Sequence, residues 1–248
     1  MLRLWFVSAL VLGAQYSRVE ATCVDPSTLI RSTVSITRFF DGQERQSDAG
    51  LLGIRGTAWF LSPTSMVTAE HVAAAMRLSN GSWSRVEIVG GAGQRTIAVR
   101  VVRVAGAHTE KVAVLESQEP FLDAKSLQIR VEPLVPEERV VSLAYPSNRL
   151  RFAGGRFVEY EHSGDTLAGT ALLEMHDGDD RLVLDHGASG APVLDCQGRV
   201  VSVVSNLFTK PMQFMSHAIR ISTAWGQANV ASVPIQVLKD VALAKRPN

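Results

Sequence analysis

Asp185-His186-Gly187-Ala188-Ser189-Gly190-Ala191-Pro192-Val193 holds a serine between two glycines and follows it with alanine and proline. Glycine adopts backbone conformations in which a Cβ would clash, so Gly187 and Gly190 let the chain turn tightly and put Ser189 at the tip. The N–H groups of such a turn can converge on one point. Acyl transfer needs that combination, a hydroxyl nucleophile with donors aimed at the oxygen of the tetrahedral intermediate. Taken alone, the stretch reads equally as a glycine-rich hairpin turn with an incidental serine.

A second stretch lies well upstream: Gly56-Thr57-Ala58-Trp59-Phe60-Leu61-Ser62-Pro63-Thr64-Ser65-Met66-Val67-Thr68-Ala69-Glu70-His71-Val72. It reads as strand, turn, strand, then a histidine opening a short helix. Together the two stretches resemble the trypsin-like (chymotrypsin-fold) serine peptidases, most of all their compact bacterial secreted members. There a Gly-Thr-Gly strand precedes Thr-Ala-Ala-His and the nucleophile stands in Gly-Asn/Asp-Ser-Gly-Gly-Pro. The order, histidine first and serine last, suits that family and not subtilisin or the α/β-hydrolases. The resemblance implies an all-β fold, two packed antiparallel six-stranded β-barrels with the site in the cleft between them.

It also implies roles. His71 is the expected general base for Ser189, and the N–H groups of Gly187 and Ser189 the expected oxyanion hole. Val183 falls at the base of the primary specificity pocket, where an apolar residue argues against a preference for Arg or Lys. Ser205, Asn206 and Leu207 match the strand that pairs with substrate backbone, so the expected partner is a peptide or protein substrate. Ala188 stands where digestive members carry an aspartate that pairs with a new N-terminus, an ion pair alanine cannot make. The pattern departs at the third catalytic group. The family's Asp-x-Ala-x-Leu is Lys111-Val112-Ala113-Val114-Leu115 here, and an ammonium beside His71 disfavours the imidazolium the reaction needs. If the strand keeps the family's register, Lys111 and not Glu110 points to His71. A slip or bulge presents Glu110 instead, since neighbours in a strand face opposite ways. Glu70 is a carboxylate poorly placed beside His71. The departure leaves a second expectation open, a weak or inactive relative that binds peptides or a partner protein through the same cleft. His108, His162, His176 and His217 read as structural, and His186 as a residue of the cleft rim.

The composition suits this reading. Hydrophobic residues make up 46% of 248, enough to bury a full core. Residues 1–21 read as an export signal, with Arg3 as the positive start, an apolar run over 4–13 and a cleavage site at Ala21. That run is too short to span a bilayer. Removing it takes away Arg3, Arg18 and Glu20 and leaves 23 basic and 23 acidic residues, a balance with no electrostatic footprint for nucleic acid. Neither a Cys/His metal spacing nor a phosphate-cradling loop appears, so no cofactor is expected. Export favours pairing of the two cysteines, Cys23 and Cys196, over two unpaired thiols.

Strand patterns fill the domain 22–248. The first barrel, 28–118, takes strands at 33–37, 54–62, 66–69, 85–89, 96–104 and 112–116, with a polar loop over 41–50. A linker over 119–126 leads to a second barrel, 127–224, with strands at 127–131, 139–144, 151–161, 181–184, 191–194, 199–208 and 213–222. A tail helix is expected over 232–244, capped by Ser232, with Pro234 in its first turn and Val237, Leu238, Val241 and Ala244 as its apolar stripe.

Overall fold

The structure, a computed structural model, describes residues 23–47, 50–91, 93–107, 110–130, 132–146, 149–161, 169–176, 187–207, 210–214, 217–221, 228–234, 237 and 239. The expected export signal, the strand at 181–184 and most of the tail helix lie outside the described residues, as do His108, His162, Val183 and His186.

Alternation of apolar residues builds the first barrel. Its strands are β1 (Thr33–Phe39), β2 (Gly53–Ser62), β3 (Ser65–Ala69), β4 (Ser84–Gly90), β5 (Gly93–Ala107) and β6 (Glu110–Ser117), closed in the order β1-β2-β3-β6-β5-β4. On β2, Ala58 and Phe60 enter the core of this barrel, while Trp59 turns the other way. Short helices α1 (Pro26–Leu29), α2 (Gly42–Ser47) and α3 (Glu70–Ala75) punctuate it. The α2 turn lies inside the expected polar loop, where Asp41 Oδ1 accepts from Glu44 N and Glu44 Oε2 from Asp41 N, a reciprocal cap.

The second barrel closes in the order β10-β11-β14-β9-β8-β7. Its strands are β7 (Arg139–Ala144), β8 (Arg151–Glu161), β9 (Thr170–His176), β10 (Pro192–Leu194), β11 (Val200–Leu207) and β14 (Val230–Pro234). Three expectations change here. Of the expected strand at 127–131, the described residues 127–130 make one parallel bridge, Ile129 to Val200, and no strand. Pairing of β14 with β11 begins only at Ser202, which leaves Val200 and Val201 without β14, and Val200 takes the bridge. In place of the expected strand at 213–222, β12 (Lys210–Phe214) and β13 (His217–Ile221) pair as a separate two-stranded sheet. The sixth place in the barrel belongs to β14, beyond the expected boundary at 224. Ser232 and Pro234 are therefore strand residues and do not start a helix. Ser232 is fully buried, and its hydroxyl bonds Ala171 O at 3.1 Å and Ser202 Oγ at 2.9 Å.

Each barrel has its own core, and a third cluster joins them. Trp59, Val67, Val112 and Val114 from the first barrel meet Val141, Leu143, Leu194, Val200, Val203 and Val233 from the second. Burying a side chain of the size of Leu143 contributes about 1.5–3 kcal/mol, so this cluster fixes the barrels against each other. Leu29, Cys23 and Val24 pack on the same cluster, as does Val237 of the tail. Cys23 and Cys196 form a disulfide with Cα atoms 4.8 Å apart. Among the described residues no helix is long and apolar enough to cross a membrane.

Candidate active site

The turn carrying Ser189 needs its glycines. Gly187 and Gly190 have φ of 99° and 92°, the left-handed region that side chains with a Cβ rarely enter. A Cβ on Gly190 would also collide with Thr57 O and Thr68 Oγ1 and stand 3.0 Å from Ala69 N. The turn thus presses directly onto β2 and β3, one strand end before His71. Gly56 closes the same contact from the other side, since a Cβ there would crowd Val72 and come within 3.4 Å of Ser189 O. Gly190 therefore lies against Thr68 and Ala69, shortly before His71, and Gly56 stands beside both Val72 and the Ser189 carbonyl, although the two motifs are far apart in sequence.

Hydrogen bonds fix the turn from both barrels. Thr57 N donates to Ser189 O (2.9 Å), Gly190 N to Val204 O (2.7 Å), Val204 N to Ala191 O (2.9 Å), and Ala191 N to Ala188 O (3.0 Å). Among the described residues no acceptor takes the N–H groups of Gly187 or Ser189. Ala188 is buried in the core of the second barrel, an apolar plug at a position where an aspartate would need a cationic partner. Ser189 is half-buried, and its hydroxyl donates to Ser205 O at 3.1 Å.

His71 is the second residue of α3. Val72, Ala73 and Met76 bury that helix in the first barrel and leave His71 exposed. Glu70 lines a cavity of about 500 Å³ with Ala73, Leu78, Val101, Arg103 and Ala113, and this cavity does not include Ser189. On β11 the pairing shifts between Val204 and Asn206, a bulge at Ser205. Strand β10 pairs with β11 only up to Val203. Among the described residues, 205–207 therefore keep β14 on one side and no strand on the other.

Strand β6 is regular at the expected third group. Ala69 pairs with Val112 on one side, and on the other Gly106 pairs with Lys111 and Ala107 with Glu110 without a shift. Val112 and Val114 belong to the cluster between the barrels, whereas Ala113 and Leu115 belong to the first barrel's core. Glu110 shares the register parity of Val112 and Val114, and the half-buried Lys111 that of Ala113. His176 Nε2 lies 3.3 Å from Glu174 Oε1 in β9, a structural setting. Among the described residues no group of three His, Cys, Asp or Glu side chains could hold a metal ion.

Sequence reasoning overlooked Thr57. Its buried hydroxyl donates to Gly187 O (2.7 Å) and accepts from Tyr145 N (3.0 Å), and its carbonyl accepts from Thr68 Oγ1 (2.7 Å). The Gly-Thr pair was visible, but its partners lie 88 and 130 residues away. Burial also pushes the Tyr145 phenol above its ordinary value.

The sequence model of the Trypsin-like peptidase domain family matches residues 56–203, more than half of the chain. No curated protein matches the sequence. Among solved structures, the chain is similar to Rv3671c from M. tuberculosis H37Rv as a serine-to-alanine mutant in the inactive form, with 18% identity over 90% of this chain and 91% of that one and a TM-score of 0.57. The active form of the Rv3671c protease gives 20% identity over 89% and 82%, with a TM-score of 0.56. Those likenesses carry the fold. With the two six-stranded barrels and the family match over 56–203, the chain belongs to the trypsin-like serine peptidases.

Proposed function

We propose that this protein is an exported serine endopeptidase that forms an acyl-enzyme on Ser189, with His71 as general base and the N–H groups of Gly187 and Ser189 as the oxyanion hole. The observation that carries the reading is the contact of the Ser189 turn with Thr57, Thr68 and Ala69, which unites the two motifs at one point. His71 takes the hydroxyl proton as Ser189 attacks the carbonyl and returns it to the leaving amine; water then repeats the sequence to release the acid. The open side of 205–207 receives the substrate as an added strand. An apolar Val183 suits a small or apolar side chain before the scissile bond.

Glu110 is the third group in this proposal. The support is register alone: in the unshifted pairing of β6, position 110 has the parity of Val112 and Val114, the residues that meet the second barrel, whereas the family's spacing gives the place to Lys111 unless a bulge intervenes. A glutamate there fixes the imidazole tautomer and stabilises its cation, as the family's aspartate does. Lys111, with the opposite parity, need not approach the imidazole.

A second reading, a peptide-binding relative without turnover, is favoured by the Ser189 hydroxyl resting on the Ser205 carbonyl. A fluorophosphonate probe separates the two. The peptidase reading expects covalent labelling of wild type that disappears in Ser189→Ala and falls sharply in His71→Ala. Absence of labelling, with no cleavage of casein or a peptide library, leaves the binding reading.

A further inference from the structure

We infer that Thr57 is a positioning residue whose side-chain hydroxyl sets the oxyanion turn, an inference that rests on the peptidase reading. Thr57 is fully buried on β2 and touches the turn twice: its N–H holds Ser189 O at 2.9 Å and its hydroxyl holds Gly187 O at 2.7 Å. These two bonds grip both ends of Gly187-Ala188-Ser189. The hydroxyl's direction is not free. Tyr145 N–H can only donate, so at 3.0 Å it occupies the hydroxyl as acceptor and leaves the single proton for Gly187 O. The Thr57 carbonyl is held in turn by Thr68 Oγ1 at 2.7 Å, which steadies the clamp from β3.

A glycine turn needs such a clamp. With no Cβ, Gly187 has several backbone conformations open to it, and local sterics do not choose the plane of the 187–188 peptide. The Thr57 hydroxyl chooses it. The adjoining peptide, 188–189, is fixed by Ala191 N on Ala188 O at 3.0 Å, which sets the direction of the Ser189 N–H. The Gly187 N–H belongs to the preceding 186–187 peptide, which meets the plane that Thr57 holds at the Gly187 Cα. With the Gly187 carbonyl held, that N–H can swing only about φ of Gly187. Removing the hydroxyl frees rotation about ψ of Gly187 as well, and so loosens the residue that carries one of the two oxyanion donors while leaving the strand that binds substrate in place.

Thr57→Val keeps the shape and removes the hydroxyl; Thr57→Ser keeps the hydroxyl. With a peptide substrate, Thr57→Val is expected to lower kcat by about 10- to 100-fold, less than the 10²–10³ for deleting an oxyanion donor outright, with KM within about threefold. Affinity for a peptide boronate, whose oxygen occupies the oxyanion site, falls in parallel, and Thr57→Ser restores both. Amide hydrogen exchange over 187–193 speeds up in Thr57→Val and returns in Thr57→Ser. Thr57→Ala repeats the comparison if the valine variant does not fold. A folded Thr57→Val with unchanged kcat and exchange overturns the inference, as does a folded Thr57→Ser as impaired as the valine variant. If wild type neither cleaves nor labels, the peptidase reading is lost, and the exchange comparison alone decides whether Thr57 holds the turn.

Discussion

Glu110 and Lys111 carry opposite charges on adjacent residues of a regular strand, so only one of them can face the imidazole of His71. If Glu110 is the third group, Glu110→Gln keeps the shape and removes the charge. Turnover should fall by about 10²–10⁴, the upper end being the loss that follows removal of a triad carboxylate. Lys111→Ala should stay within about threefold of wild type, and Lys111→Asp should gain nothing. Steady-state kinetics on one peptide substrate checks all three. Active Glu110→Gln together with a gain in Lys111→Asp assigns the position to Lys111. This ambiguity shows what single residues disclose in a sequence. Ser189, Gly187 and Gly190 were legible because the reason for each is local, a tight turn with positive φ. Thr57 was not, because the hydroxyl's meaning lies in Tyr145, just past the end of β7, and in the nucleophile turn. Between Glu110 and Lys111 the sequence left the choice open, because spacing alone cannot say which neighbour faces which core.

Among elements, the Ser189 turn is the most constrained. Gly190→Ala must hold an alanine at φ near 92° and drive its methyl into the Thr57 carbonyl. Strain of that kind costs about 1–3 kcal/mol before any movement of the turn. Gly198, also at positive φ (75°), has nothing within 4 Å of a Cβ. Gly198→Ala should therefore lower the denaturation midpoint modestly and keep probe labelling, whereas Gly190→Ala should lower it more and lose labelling. Equal effects of the two would mean that the turn is not pressed on β2 and β3. The turn was readable as an element, as were the β2–β3 hairpin and α3. Strand β9 was missed because Glu174 interrupts its apolar pattern; in the barrel that carboxylate accepts from Arg156 Nε at 2.8 Å. Strand β14 was misread because serine and proline, the residues of a helix start, here satisfy a buried hydroxyl and end a strand.

At the scale of the molecule, the count of strands pointed to two barrels, while the cluster that joins them depends on which side of each strand turns outward. The N-terminal segment belongs to this joint. Leu29 is buried in the inter-barrel cluster and Cys23 and Val24 pack against it, so the disulfide to Cys196 ties down a segment that already has an apolar seat. The tie closes 173 residues of chain. In the chain-entropy account a loop of that length disfavours the unfolded state by about 5 kcal/mol, and measured losses on removing native disulfides run about 2–5 kcal/mol. A Cys23→Ser, Cys196→Ser double variant should therefore unfold at lower denaturant by an amount within that range. Because Leu29 and Val24 keep their apolar seat, the reduced chain should still fold with both barrels in one transition. The shared cluster makes the barrels one cooperative unit, so fluorescence and far-UV circular dichroism should give coincident curves. An unchanged midpoint in the double variant would show that the two cysteines are not joined, and separated curves would show that the inter-barrel cluster does not couple the barrels.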